Sequence, residues 1–236
     1  MGGNSFFYFK RFSICQEHCA MKVGTDSILL GAWCDVNDKR LILDIGTGTG
    51  LVALMAAQRS QGRVVAVEID HKSALQAAEN VDKSPWKDRV EIYENDIANF
   101  DKSCCMFDAI LCNPPYFRNS LRAASAEKNM ARHNDTLSYE KLAETVSGLL
   151  DGNGEFYTII PYNNACLFLE KFALKGLYPT RSTSVVSRQG KPPIRELICL
   201  TRRTGCVSRS TITVLDSCGE ATEEFKNLVK DFYLKY

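Results

Sequence analysis

From Arg40 onward the sequence alternates short apolar runs with segments whose apolar residues recur at helical spacing, and this alternation constrains the fold more than any other feature. "RLILDIG", "RVVAVEID", "RVEIYEND", "FDAILCN" and "GEFYTIIP" read as five strands. Between them lie helical segments with apolar faces at Leu51, Leu54, Met55 and Ala57, at Leu75, Ala78 and Val81, and at Leu142, Val146, Leu149 and Leu150, the last stopped by "DGNG". This order predicts an α/β fold, a parallel sheet covered by helices. After Pro161 a further helix, "NNACLFLEKFALKG", leads to two β-rich runs, "TRSTSVVSR" and "RELICLTRR", close enough in sequence to pair antiparallel. Upstream, the aromatic-rich "FFYFKRF" and the helix-compatible "DSILLGAW" make residues 1–39 an N-terminal extension of one domain spanning 1–236.

Composition narrows the class. With 24% charged and 45% hydrophobic residues, the chain has the make-up of an ordinary globular protein. No apolar run approaches the roughly 18 residues of a membrane span, and the start lacks a secretory apolar core, so a cytoplasmic protein without membrane attachment is expected. Phe6 stands where the myristoylation pattern wants Ser or Thr. Ten cysteines are scattered without a CxxC pair; "CQEHC" (Cys15, His18, Cys19) lacks a matching second pair, so no metal is expected. Cys112, at the end of an apolar run, reads as packing. The net charge of +1 does not by itself point to a polyanion.

"LDIGTGTG" places Asp44 at a strand end and Gly46, Gly48 and Gly50 before a helix, a spacing that lets backbone approach a ligand closely. The third glycine falls one place too early for the dinucleotide fingerprint. An acid at this position repels a pyrophosphate and attracts a ligand bearing an ammonium and a sulfonium. Glu68, ending the second strand and followed by Ile69, suits two ribose hydroxyls; Asp96, ending the third and followed by Ile97, suits an adenine amino group. Together these residues describe a nucleoside site at the carboxyl edge of the sheet.

The fourth strand ends in "NPPY" at the same edge. Asn113 and Pro114 each precede a proline, so the turn is stiff and its acceptors are aimed. The Asn113 side-chain oxygen and the Pro114 carbonyl can both accept from one NH₂ group, with Pro115 fixing the turn and Tyr116 offering a flat face to the ring that carries it. Acceptors that favour a pyramidal amine stabilise charge developing on nitrogen during attack on a methyl group.

"DIGTGTG", "VEID", "ND" and "NPPYF" resemble the motifs of the Rossmann-like S-adenosylmethionine-dependent amino-methyltransferases. The resemblance implies a class I methyltransferase fold: seven strands in the order 3-2-1-4-5-7-6, strand 7 antiparallel, with helices on both faces. It also implies S-adenosylmethionine as cofactor and Asn113, Pro114 and Tyr116 as holders of the target. "FKRFSICQEHCAMKVGTDSILLGAW", "SPW" and "MARH" are similar, over nearly the whole chain, to bacterial tRNA adenine-N6-methyltransferases acting beside the anticodon of a valine tRNA. That likeness implies methylation of adenosine 37, with Lys22, Gly24, Thr25 and Asp26 closing over the cofactor.

An RNA base must be unstacked to reach a strand-edge pocket, which calls for phosphate contacts around its mouth. Arg118, Arg122, Arg132 and His133 follow the motif, Lys191 and Arg195 lie in "SRQGKPPIR", and Lys10 and Arg11 sit among aromatics. A monomer is expected. Other planar amines, in ribosomal RNA, DNA or a release-factor glutamine, share the same motif, and a non-catalytic RNA-binding protein on this fold is the reading of a different class.

Overall fold

The computed structural model describes residues 5–19, 22–100, 106–115 and 137–236. The five runs read as strands form β3 (Leu41–Ile45), β4 (Arg63–Glu68), β5 (Val90–Glu94), β6 (Phe107–Cys112) and β7 (Leu150–Pro161). They are joined by β8 (Tyr178–Arg188), β9 (Pro193–Thr201) and β10 (Ser208–Leu215) in one sheet of order β10-β8-β9-β7-β6-β3-β4-β5. β9 runs antiparallel to both β7 and β8, whereas the other neighbours are parallel. The described sheet therefore has eight strands and not seven. β10 is the addition, an edge strand parallel to β8 with no fully buried residue.

Successive residues of the central strands point to opposite sides, and the core divides accordingly. Ile42, Val64, Ala66, Ala109, Leu111 and Ile159 share one cluster with α1 (Thr25–Trp33), α2 (Leu51–Arg59) and α6 (Glu223–Val229). Leu43, Ile45, Val67, Ile110, Phe156 and Ile160 share the other with α4 (Tyr139–Leu149) and α5 (Ala165–Ala173). Helices cover both faces, as a largely parallel sheet requires.

The helix stops at Leu149, just before "DGNG", but those residues are strand: β7 begins at Leu150, which leaves the helix face, and carries them through a register shift opposite Phe107 and Ala109. A Cβ on Gly154 would meet the Phe107 carbonyl at 2.8 Å, so the glycine there serves close strand approach. In α3 (His71–Asp82), Leu75 and Ala78 face solvent, and the buried residues are Ser73, Ala74, Gln76, Ala77, Asn80 and Val81. That helix packs on β4 and β5 and also on the N-terminal segment and the glycine loop, where Ala77 lies against Gly50 and Asn80 bonds Cys15 and Thr49, so small and polar residues occupy part of its inner face.

The N-terminal residues form a hairpin, β1 (Phe6–Tyr8) with β2 (Ser13–Cys15). Its rings stack on one another and on the chain end: Phe9 lies 4.6 Å from Phe12 and Phe7 6.0 Å from Tyr233, centroid to centroid. Lys10 donates from Nζ to the Lys230 carbonyl at 2.7 Å, and Arg11 lies over Trp86 at 5.4 Å. The last residues thus fasten the extension, and both cations serve that packing.

Candidate functional site

The carboxyl ends of β3, β4 and β6 and the turn after β5 surround a cavity of about 350 Å³. Gly46, Gly48, Glu68, Ile69, Asp96, Ile97, Asn113, Pro114 and Pro115 all line it, drawn from four strand ends. Asp44, Gly50, Lys22 and Thr25 are not among the lining residues. Tyr116, Arg118, Arg122, Arg132 and His133 lie outside the described residues.

Gly46 and Gly48 hold φ of +68° and +57°, a region other residues enter at a cost, and a Cβ added at either would meet nothing within 4 Å. The loop is open on its upper side and closed beneath. Below it Asp44, 1% exposed, accepts from Thr47 Oγ1 at 2.6 Å and from the Ala53 amide. Asp44 therefore sits beneath the cradle, off the cavity lining, and braces the loop and the start of α2. Burial pushes its carboxyl up to about 7, against the pull of those two donors and with a contribution from Glu68.

Glu68 is held by backbone on both oxygens: Gly48 N–H donates to Oε2 and Asp70 N–H to Oε1, each at 2.9 Å. Each oxygen keeps acceptor capacity for a hydroxyl. Asp70 caps α3, its Oδ2 accepting from Ser73 N–H at 2.9 Å and Ser73 Oγ at 2.8 Å, which holds its carboxyl below the usual range. Asp96 accepts from Ala98 N–H at 2.9 Å, and Lys141 from α4 approaches it to 3.9 Å. Ile69 is 64% exposed at the cavity wall, an apolar surface a buried core gives no reason to present.

Asn113 is oriented from the N-terminal extension: its Nδ2 donates to Ser27 Oγ of α1 at 2.9 Å. One residue earlier, Asp26 pairs with Arg195 of β9, Nε to Oδ2 at 2.9 Å. A second tie comes from Asn80, buried on α3, which accepts from Cys15 N–H at 2.8 Å and donates at 2.9 Å to both the Cys15 and Thr49 carbonyls. "CQEHC" is thus a docking segment, and among the described residues no His, Cys, Asp and Glu group is placed to hold a metal. Cys112 is buried and its thiol is pushed well up by burial, leaving it a packing group.

Ser27, Asp70, Ser73, Asn80, Asn95 and Lys141 were not singled out from sequence. Asp70 carried a signal, since an acid three residues before Ser73 fits a helix N-cap. The cavity suits a cationic nucleoside: its cradle would be filled by any Cβ at Gly46 or Gly48, its rim carries Glu68, Asp70 and Asp96, and Ile69 and Ile97 supply apolar faces.

A Rossmann-like sheet with that cradle at one strand end and an Asn-Pro-Pro turn at the next is the plan of an S-adenosylmethionine-dependent methyltransferase. Solved structures agree on the fold. A predicted O-methyltransferase of Agrobacterium tumefaciens superposes with TM-score 0.64 at 18% identity, over 88% of this chain and 96% of that one. A ribosomal protein L11 methylase of Lactobacillus delbrueckii gives 0.53 at 17%, over 75% and 77%. Residues 18–142 match the methyltransferase small domain. Proteins named tRNA1(Val) (adenine(37)-N6)-methyltransferase are 46% identical in Bacteroides thetaiotaomicron, over 98% of each chain, and 44% in Trichodesmium erythraeum, over 100% of each. The chain belongs to the methyltransferase small domain family, and within it to the family of these tRNA adenine-N6-methyltransferases.

Proposed function

We propose that this protein transfers a methyl group from S-adenosylmethionine to the exocyclic N6 of adenosine 37 in the anticodon loop of tRNA1(Val). The observation that carries the reading is Asn113, set at the end of β6 on the wall of the glycine-cradled cavity with its amide held by Ser27. The named activity of relatives sharing nearly the full length supports the substrate.

Gly46 and Gly48 let backbone approach the methionine part, Glu68 accepts from the ribose and Asp96 from the adenine amine. When bound, S-adenosylmethionine supplies an electrophilic methyl on a sulfonium. Asn113 Oδ1 and the Pro114 carbonyl accept from the target NH₂, whose lone pair is otherwise delocalised into the ring, and favour its pyramidal form. Tyr116 stacks on the target base, and Arg118, Arg122, Arg132 and His133 contact phosphate around it. No strong base is needed, since the proton leaves after transfer.

Residues 1–39 act as an extension of a single domain that closes the site, a role supported by the bonds of Ser27 to Asn113 and of Asn80 to Cys15. Lys22 and Thr25 belong to that closing segment. No helix among the described residues is long and apolar enough to cross a membrane. A tRNA substrate supports a cytoplasmic location.

The test is transfer of labelled methyl from S-adenosylmethionine to unmodified total tRNA, followed by digestion. Label recovered as N6-methyladenosine at position 37 of the valine tRNA, and lost with Asn113→Ala, is the expected result. Cofactor binding with no label in any tRNA overturns the reading.

A further inference from the structure

A second groove, of about 480 Å³, lies at the same sheet edge, between the end of β7 and the start of β9. Pro161, Tyr162, Asn163, Pro192, Pro193, Ile194 and Arg195 line it. Its apolar members are unusually bare: Tyr162 is 42% and Ile194 43% exposed. The lining holds one cation and no acid, and Lys191, also exposed, adjoins it.

The groove lies beside the candidate active site. Cys112 of β6 pairs with Thr158 of β7, so Asn113 and Pro161 emerge from adjacent strands, on the order of 10 Å apart by strand geometry. The first turn of α1 braces both: Ser27 accepts from Asn113 while Asp26 pairs with Arg195 in the groove wall. Flat, apolar, uncharged faces beside a cation suit a nucleobase with its phosphate better than an acidic or aliphatic peptide. A single-stranded loop entering the active site brings a neighbouring base to the same edge.

We infer that the Tyr162–Pro193–Ile194 groove stacks the nucleobase adjacent to the target adenosine, with Lys191 on the intervening phosphate. This subsite rests on the tRNA reading above. Stacking needs the ring and not the hydroxyl, and Asn163 offers an amide to the base edge.

Methyl transfer to an unmodified anticodon stem-loop tests this with the full chain. Tyr162→Ala is expected to lower kcat/KM for RNA about 5- to 100-fold, the range of one stacked base, with cofactor affinity unchanged and Tyr162→Phe close to wild type. Ile194→Asp shifts RNA kcat/KM the same way. Stem-loops with an abasic residue on either side of the target identify the occupant: on one of them wild type and Tyr162→Ala become equal. Normal transfer by Tyr162→Ala, or losses that multiply on both abasic substrates, overturns the groove while leaving the activity standing. If wild type methylates no tRNA, the activity itself is overturned and the groove with it. Loss by Tyr162→Ala confined to a protein amide substrate would assign the groove to a peptide and overturn the inference.

Discussion

Asn113 and Ser27 stand 86 residues apart in sequence and 2.9 Å apart in space, the amide nitrogen donating to the hydroxyl oxygen. A planar amide has a donor end and an acceptor end, and occupying the first decides where the second points. Ser27 is therefore a positioning residue for the group that receives the target amine.

Removing that acceptor takes away one hold on the amide's orientation. Ser27→Ala is expected to lower kcat about 3- to 10-fold, in line with a net hydrogen bond of roughly 1 kcal/mol, while the KM for S-adenosylmethionine stays near wild type. Ser27→Thr keeps the hydroxyl and restores most of the rate. A KM change for the cofactor without a kcat change would show that the contact shapes the cavity instead.

The glycine cradle gives a sharper separation of stability from binding. Gly48→Ala forces a left-handed backbone on alanine, a cost of about 1–2 kcal/mol visible as a lower Tm. Its Cβ meets no protein atom but enters the space of the ligand, so cofactor affinity is expected to fall at least tenfold more than that of a Pro115→Ala variant. Calorimetric titration alongside thermal melts reads both.

Asp44 makes stability depend on pH. Its carboxyl keeps a proton up to about 7 in the fold but releases it near 3.8 when unfolded, so the folded state holds more protons between those values. Stability from this group is therefore lost as pH rises from about 4 to about 7, by on the order of 4 kcal/mol at 1.36 kcal/mol per unit. A cationic ligand above the loop favours the ionised form, so cofactor affinity is expected to strengthen as pH rises from 5.5 to 7.5. Asp44→Asn flattens both profiles; melts and titrations across that range check the sign.

The central strands were legible because their apolar runs end in Asp44, Glu68, Asp96 and Asn113, polar residues that lie in the last positions of a strand or just beyond it. β10 was not, since "SRSTITVL" is an edge strand and its half-exposed residues carry no core signal. Leu75 misled in α3 because part of the inner face lies against the glycine loop and β2, where Ala77 and Asn80 fit, and Leu75 falls on the exposed side. The acids around the cavity followed from strand ends, whereas Ser27 and Lys141 sit on helices whose sequence gives no hint of what lies opposite. Tertiary docking decides such contacts, and periodicity does not encode it.

Asn80 is where that docking is most exposed to a single change. Its one amide answers three backbone groups, the N–H and carbonyl of Cys15 and the carbonyl of Thr49, so it ties the N-terminal hairpin to the loop before α2. Asn80→Leu keeps the volume roughly and leaves all three buried without this partner, at about 1–3 kcal/mol for each unsatisfied group. We expect a Tm drop of more than about 8 °C and faster amide exchange at Cys15 than in the central strands, with cofactor affinity falling as the loop loosens. Exchange at β3 and β6 should remain at the global rate. Uniform acceleration across the sheet, with no excess at Cys15, would mean that Asn80 supports the whole core and not this one junction.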